Sequence, residues 1–171
     1  MPMAGKSLEP RRFHPSVVTA LEAAGWVPGR SADVRKVLAD LVTGGYAPNP
    51  FTIGLLEALY GLRIDPVNAD GPNFQNTEPF IVDPLGVGRR HREEAAEVRA
   101  AVGEDVFPVG WWLCNSHVHV TASGRVVAFS SGLIWHLGHT PEEGLDMAVR
   151  ASSPLVCIGS RQGQRRWPSG L

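Results

Sequence analysis

The stretch Ala24-Gly25-Trp26-Val27-Pro28-Gly29-Arg30 sets the tightest local constraint on this chain. It follows the apolar spacing Val17, Val18, Leu21, which reads as a helix entered through Pro15. Gly25 can stop that helix because glycine takes the left-handed conformation without steric cost. Trp26 then brings a large ring that needs burial. Pro28-Gly29 turns the chain, and Arg30 leads towards a second helix. A helix, a stop, a buried indole and a turn form a corner on which a core can grow. Nothing in the run calls for catalysis.

Further along, Val34, Val37, Leu38, Leu41 and Val42 recur at helical spacing, with Ser31 as the expected N-cap and Gly44-Gly45 as the stop. Asn49-Pro50 opens a third helix. Its apolar residues, among them Ile53, Leu55, Leu56 and Leu59, lie on more than one side, so it should be sandwiched. Leu62–Ile64 and Phe80–Val82 read as short strands, the second stopped at Asp83-Pro84. Between them, residues 68–76 are rich in Asn, Asp, Gly and Pro and read as a loop. Residues 89–102 read as one helix ended by Gly103, although Arg89, Arg90 and Arg92 in its first turn oppose the helix dipole.

Residues 111–120 read as one strand. Trp112, Cys114, Ser116, Val118 and Val120 make its core face; Trp111, Leu113, Asn115, His117 and His119 make a face that turns polar. Ser123-Gly124 then gives a hairpin into residues 125–129. Thr140-Pro141-Glu142-Glu143 is the capping signature of a last helix. Helices first, then strands and hairpins, predict an α+β fold, a mainly antiparallel twisted sheet backed by helices on one side. The expected organisation is a flexible tail over 1–12, a domain over 13–151, and a partly flexible, Arg-rich tail over 152–171 that includes Trp167.

Composition narrows the function classes. At 171 residues, with 43% hydrophobic residues and a formal net charge of −1, the chain suits one globular domain with no general attraction to nucleic acid or membrane. No apolar run approaches the ~20 residues of a membrane span. Met1–Arg12 lacks an apolar signal core, which predicts a cytoplasmic protein with Cys114 and Cys157 reduced. Fourteen of the sixteen basic residues are arginine, a bias expected of a GC-rich bacterial genome.

Catalytic signatures are sparse. There is no nucleophile elbow, no protease-like cysteine context and no phosphate loop. Glu93, Glu94 and Glu97 read as a solvated helix face, and no cofactor is expected. The best metal-like cluster is Cys114-x-x-His117-x-His119. His117 and His119 share a strand face and could bridge one ion, while Cys114 points to the other face, so the two histidines alone make a weak site.

The opening signature resembles that of the third family of SUKH-superfamily immunity proteins, whose fold is shared with the fungal Smi/Knr regulators. Further matches follow in family order: Phe13-x-Pro15, Tyr60-Gly61-Leu62, Phe80-Ile81-Val82-Asp83-Pro84, Val106-Phe107-Pro108-Val109-Gly110, Ser123-Gly124-Arg125-Val126-Val127, and Leu137-Gly138-x-Thr140-x-Glu142-Glu143-x-Leu145. His14 stands where the family commonly has a serine cap, and the Trp111-Trp112 pair has no counterpart in the pattern. The resemblance implies the SUKH fold and a non-catalytic protein encoded beside a secreted polymorphic toxin. Such a protein binds the toxin domain, a nuclease, deaminase or other, in the producing cell's cytoplasm. Aromatic anchors rimmed by polar groups mark many interfaces. On that logic the candidate toxin-binding residues are Trp111, Asn115, His117 and His119. The other readings are a regulatory scaffold of the same fold and a small metal-dependent enzyme using His117 and His119.

Overall fold

A computed structural model describes residues 3–113 and 115–166. Cys114 and Trp167, expected on a strand face and in the basic tail, lie outside them. The elements run α1 (Pro15–Ala23), α2 (Arg35–Thr43), α3 (Pro50–Leu59), β1 (Arg63–Ile64), β2 (Phe80–Ile81), α4 (Pro84–Arg90), α5 (Arg92–Val102), β3 (Val106–Trp112), β4 (Ser116–Thr121), β5 (Val126–Ser130), β6 (Leu133–Gly138), α6 (Pro141–Arg150) and β7 (Val156–Ser160). Among the described residues, seven strands form one sheet in sequence order, every neighbouring pair antiparallel. The α+β expectation holds.

The opening corner forms as its residues dictate. Gly25 sits at φ +97°, and the Trp26 and Gly25 amides donate to the Leu21 and Glu22 carbonyls, closing α1 with two orphan acceptors satisfied. Trp26 is buried. Arg30 donates to the carbonyls of Ala58 (2.6 Å) and Tyr60 (2.9 Å), so the last signature residue caps the end of α3. At the other end of α3, Asn49 and Thr52 exchange side-chain-to-backbone hydrogen bonds in a reciprocal capping box.

The larger core joins Val17 and Leu21 of α1, Leu55 and Leu56 of α3, and Leu145 and Val149 of α6 to Phe107, Trp112, Val118, Val120 and Ala128 of the sheet. A second, smaller cluster joins Ala95 and Val98 of α5 to Val127, Phe129 and Ile134 on the opposite face. The sheet is therefore backed by helices mainly on one side, and α5 adds a cover on the other.

Several local expectations need correction. Helix α2 starts at Arg35, not after Ser31; the amide of Ala32 is held by the Glu57 carbonyl, which keeps residues 31–34 out of the helix. Residues 89–102 are two helices broken at His91, with Asp83 as N-cap of the first, accepting from the Gly86 amide. Arg89 and Arg90 thus fall in the last turn of α4, where the dipole favours them. The single strand over 111–120 is a hairpin: β3 ends at Trp112 and β4 starts at Ser116, with Leu113 at φ +20° and Asn115 at φ +58°. Trp111 pairs with His117 and Trp112 with Ser116, so the alternation of faces survives the turn.

Part of the N-terminal segment lies against the domain. Lys6 donates its amide to the Pro50 carbonyl, Leu8 packs on the core, and the Glu9 amide donates to Glu142. The segment can lie this close because residue 54 is glycine: a Cβ there would stand 1.9 Å from the Lys6 carbonyl oxygen. At the other end, β7 comes from residues assigned to the C-terminal tail and closes the sheet edge against β6. Arg161 is anchored too, paired with Glu97 at 2.7 and 2.9 Å and lying over the Phe129 ring.

Candidate functional site

The α4–α5 junction meets the β3–β4 hairpin in a compact aromatic and ionisable cluster. His91 is the residue between the two helices, and Glu94 stands in the first turn of α5. Trp111 and His117 are directly paired across β3 and β4. The His91 and His117 rings lie 3.7 Å apart, tilted 31°. Trp111 meets both edge-on, at 5.6 and 4.8 Å. One oxygen of Glu94 is hydrogen-bonded to His91 Nδ1 at 3.2 Å, and the other to His117 Nδ1. Each of His91, Glu94 and His117 offers a ligand atom within 4.8 Å of the others. Their side chains are 25%, 23% and 9% exposed, so the cluster is open to solvent at its helical end.

The four residues singled out by sequence fare differently. Asn115 is exposed at the hairpin turn, and Trp111 is partly covered. His117 is 7% exposed and held by Glu94. His119 is completely buried, and neither of its ring nitrogens has a hydrogen-bond partner. Rather than a polar surface, this face of β4 is an interior one beneath α5. His119 is also absent from the three-residue group, so the pairing of His117 with His119 around an ion gives way to His117 with His91 and Glu94. Sequence reading gives His91 no role and places Glu94 on a solvated helix face, whereas Glu94 is half-buried and bonded to both rings. The spacing His91-x-x-Glu94 at the start of a helix was the available signal, since it places both on one face.

Burial governs the titrations. The His117 pKa is lowered chiefly by desolvation, which outweighs the support of Glu94. His119 is pushed down to about 3 by burial and by the neighbouring His117 and His91. The folded protein thus holds His119 neutral where the unfolded chain binds a proton. Its contribution to stability is complete above pH 6.5 and is lost as pH falls towards 3. Each unit in that window removes about 1.4 kcal/mol. Urea titrations at pH 7 and pH 5 should therefore show a smaller loss for His119→Leu than for the wild type, by about 2 kcal/mol. An equal loss in both proteins would show that His119 is protonated without penalty in the folded state.

Fold and site together define an α+β protein built on a seven-strand meander, with its chemistry-bearing residues gathered at one junction of helix and sheet. A protein-family model described as SUKH-3 immunity protein matches residues 13–150. The chain belongs to that family. No curated protein and no solved structure matches it. Among the described residues, no helix is long and apolar enough to cross a membrane.

Proposed function

We propose that this chain is the immunity partner of a secreted polymorphic toxin, binding the cognate toxin domain in the producing bacterium's cytoplasm and covering its working surface without chemistry of its own. The observation that carries this reading is the family match over residues 13–150. The fold gives it physical support. Gly25, Trp26, Arg30 and Thr140 of the family-like signatures all serve stops, core and caps. The likeness therefore resides in the scaffold, and the surface is left to suit a particular toxin.

Of the candidate contact residues, Asn115 is exposed at the β3–β4 turn and Trp111 is partly exposed beside it, while His117 and His119 are buried. The test is co-expression with the toxin domain encoded beside this chain. Growth should be restored by the wild type. Asn115→Asp, which keeps a residue type tolerant of the left-handed region, should retain the thermal midpoint yet bind the toxin domain at least about tenfold more weakly, a loss of about 1.4 kcal/mol. Unchanged affinity would place the interface elsewhere on the molecule, and a failure to protect against the neighbouring toxin would sink the immunity reading.

A further inference from the structure

We infer that His91, Glu94 and His117 form a binding site for one divalent transition metal ion of the Zn2+ class, which clasps the start of α5 to the sheet. Two parts of the chain far apart in sequence supply the donors: the start of α5 with the residue that precedes it (His91 and Glu94), and β4 (His117). Two imidazoles and one carboxylate are the donor set of borderline metals, whereas Ca2+ and Mg2+ ask for oxygens. The three ligand atoms already converge within 4.8 Å, and the ion takes the place of the protons now shared between Glu94 and the two rings.

The surroundings suit such an ion. Trp111 walls the cluster on one side through edge contacts to both rings. The exposed edges of His91 and Glu94 leave a path for entry and one coordination position for water. The cluster is also the meeting point of α5 with the strands, away from the larger core that joins the other helices. An ion here adds a cross-link at the sheet face that carries the smaller apolar cluster.

The experiment uses the full chain with any affinity tag removed, stripped by chelator and then titrated with Zn2+. The expected result is one Zn2+ per chain, a thermal midpoint that rises with Zn2+, and visible absorption bands when Co2+ is used instead. His91→Ala and Glu94→Gln, both at partly exposed positions, should remain folded by circular dichroism. They should lose the Co2+ bands and bind Zn2+ more weakly by over ~100-fold, beyond what loss of an outer partner costs. His119→Leu should bind as the wild type does. The inference is overturned if the folded wild-type chain takes up no metal, or if His91→Ala and Glu94→Gln bind as tightly as it does. Either result leaves the toxin-binding reading untouched, because protection is measured separately.

Discussion

Gly110→Ala is expected to destabilise the protein by at least about 3 kcal/mol, lowering the thermal midpoint by about 6–12 °C. Gly110 pairs with Val118 just after the irregularity that follows Pro108, where β3 runs close to β2. A Cβ at this position would stand 2.0 Å from the Ile81 carbonyl oxygen and 3.1 Å from the Val82 Cα. Both neighbours are backbone, so no rotamer change relieves the overlap, and β2 must move off the sheet. Displacing β2 also disturbs Phe80 and Val82, which are buried in the main core.

Gly103 provides the contrast. It takes φ +76°, but nothing stands within 4 Å of an added Cβ, so Gly103→Ala should cost only the backbone strain of about 1–2 kcal/mol. Scanning calorimetry on the two variants separates steric from conformational need for glycine. A midpoint for Gly110→Ala within two or three degrees of wild type would mean that β2 and β3 are less closely apposed than described.

What the sequence made legible is local. The Gly25-Trp26 corner, the Asn49-Pro50 and Thr140-Pro141 helix starts, and the Ser123-Gly124 hairpin each form from residues within a few positions, so their spacing reports them directly. Asp83-Pro84 opens α4 by the same cap-then-proline device. By sequence it reads only as a strand stop, because Gly86 and Gly88 hide the helix that follows. Gly88 has its own reason: a Cβ there would stand 2.4 Å from Leu41, the contact that lets α4 nest against α2.

The β3–β4 turn was invisible because it contains neither glycine nor proline. It relies on Asn115, a residue type that tolerates the left-handed region. The candidate site was legible only in part. His117 and Trp111 stood out by alternation, but their partners His91 and Glu94 arrive through a packing of α5 on the sheet that no periodicity encodes. The same packing turned His119 from an expected surface residue into an interior one.

Replacement of Asn76 illustrates how much stability such long-range contacts carry: Asn76→Ala should cost about 3 kcal/mol. The sequence places Asn76 in a loop, and the loop is real, but it is stitched to the end of α6. The last carbonyls of that helix have no partners within it. Val67 donates its amide to the Val149 carbonyl, Asn68 its side-chain amide to Arg150, and Asn76 its side-chain amide to Ala148 at 2.9 Å. Asn76 also accepts from the Trp112 indole at 3.2 Å.

Asn76 is wholly buried, as nearly are Trp112 and Ala148. Alanine at position 76 therefore strands a donor and an acceptor away from water, at about 1–3 kcal/mol each. Asn68 makes a comparable bond at an exposed position, where water replaces the lost partner, so Asn68→Ala should cost under about 1 kcal/mol. Urea denaturation of the two variants, compared at constant slope, measures the difference. Equal losses would mean that solvent reaches the Trp112–Asn76–Ala148 bridge and that the loop is no more than a surface connection.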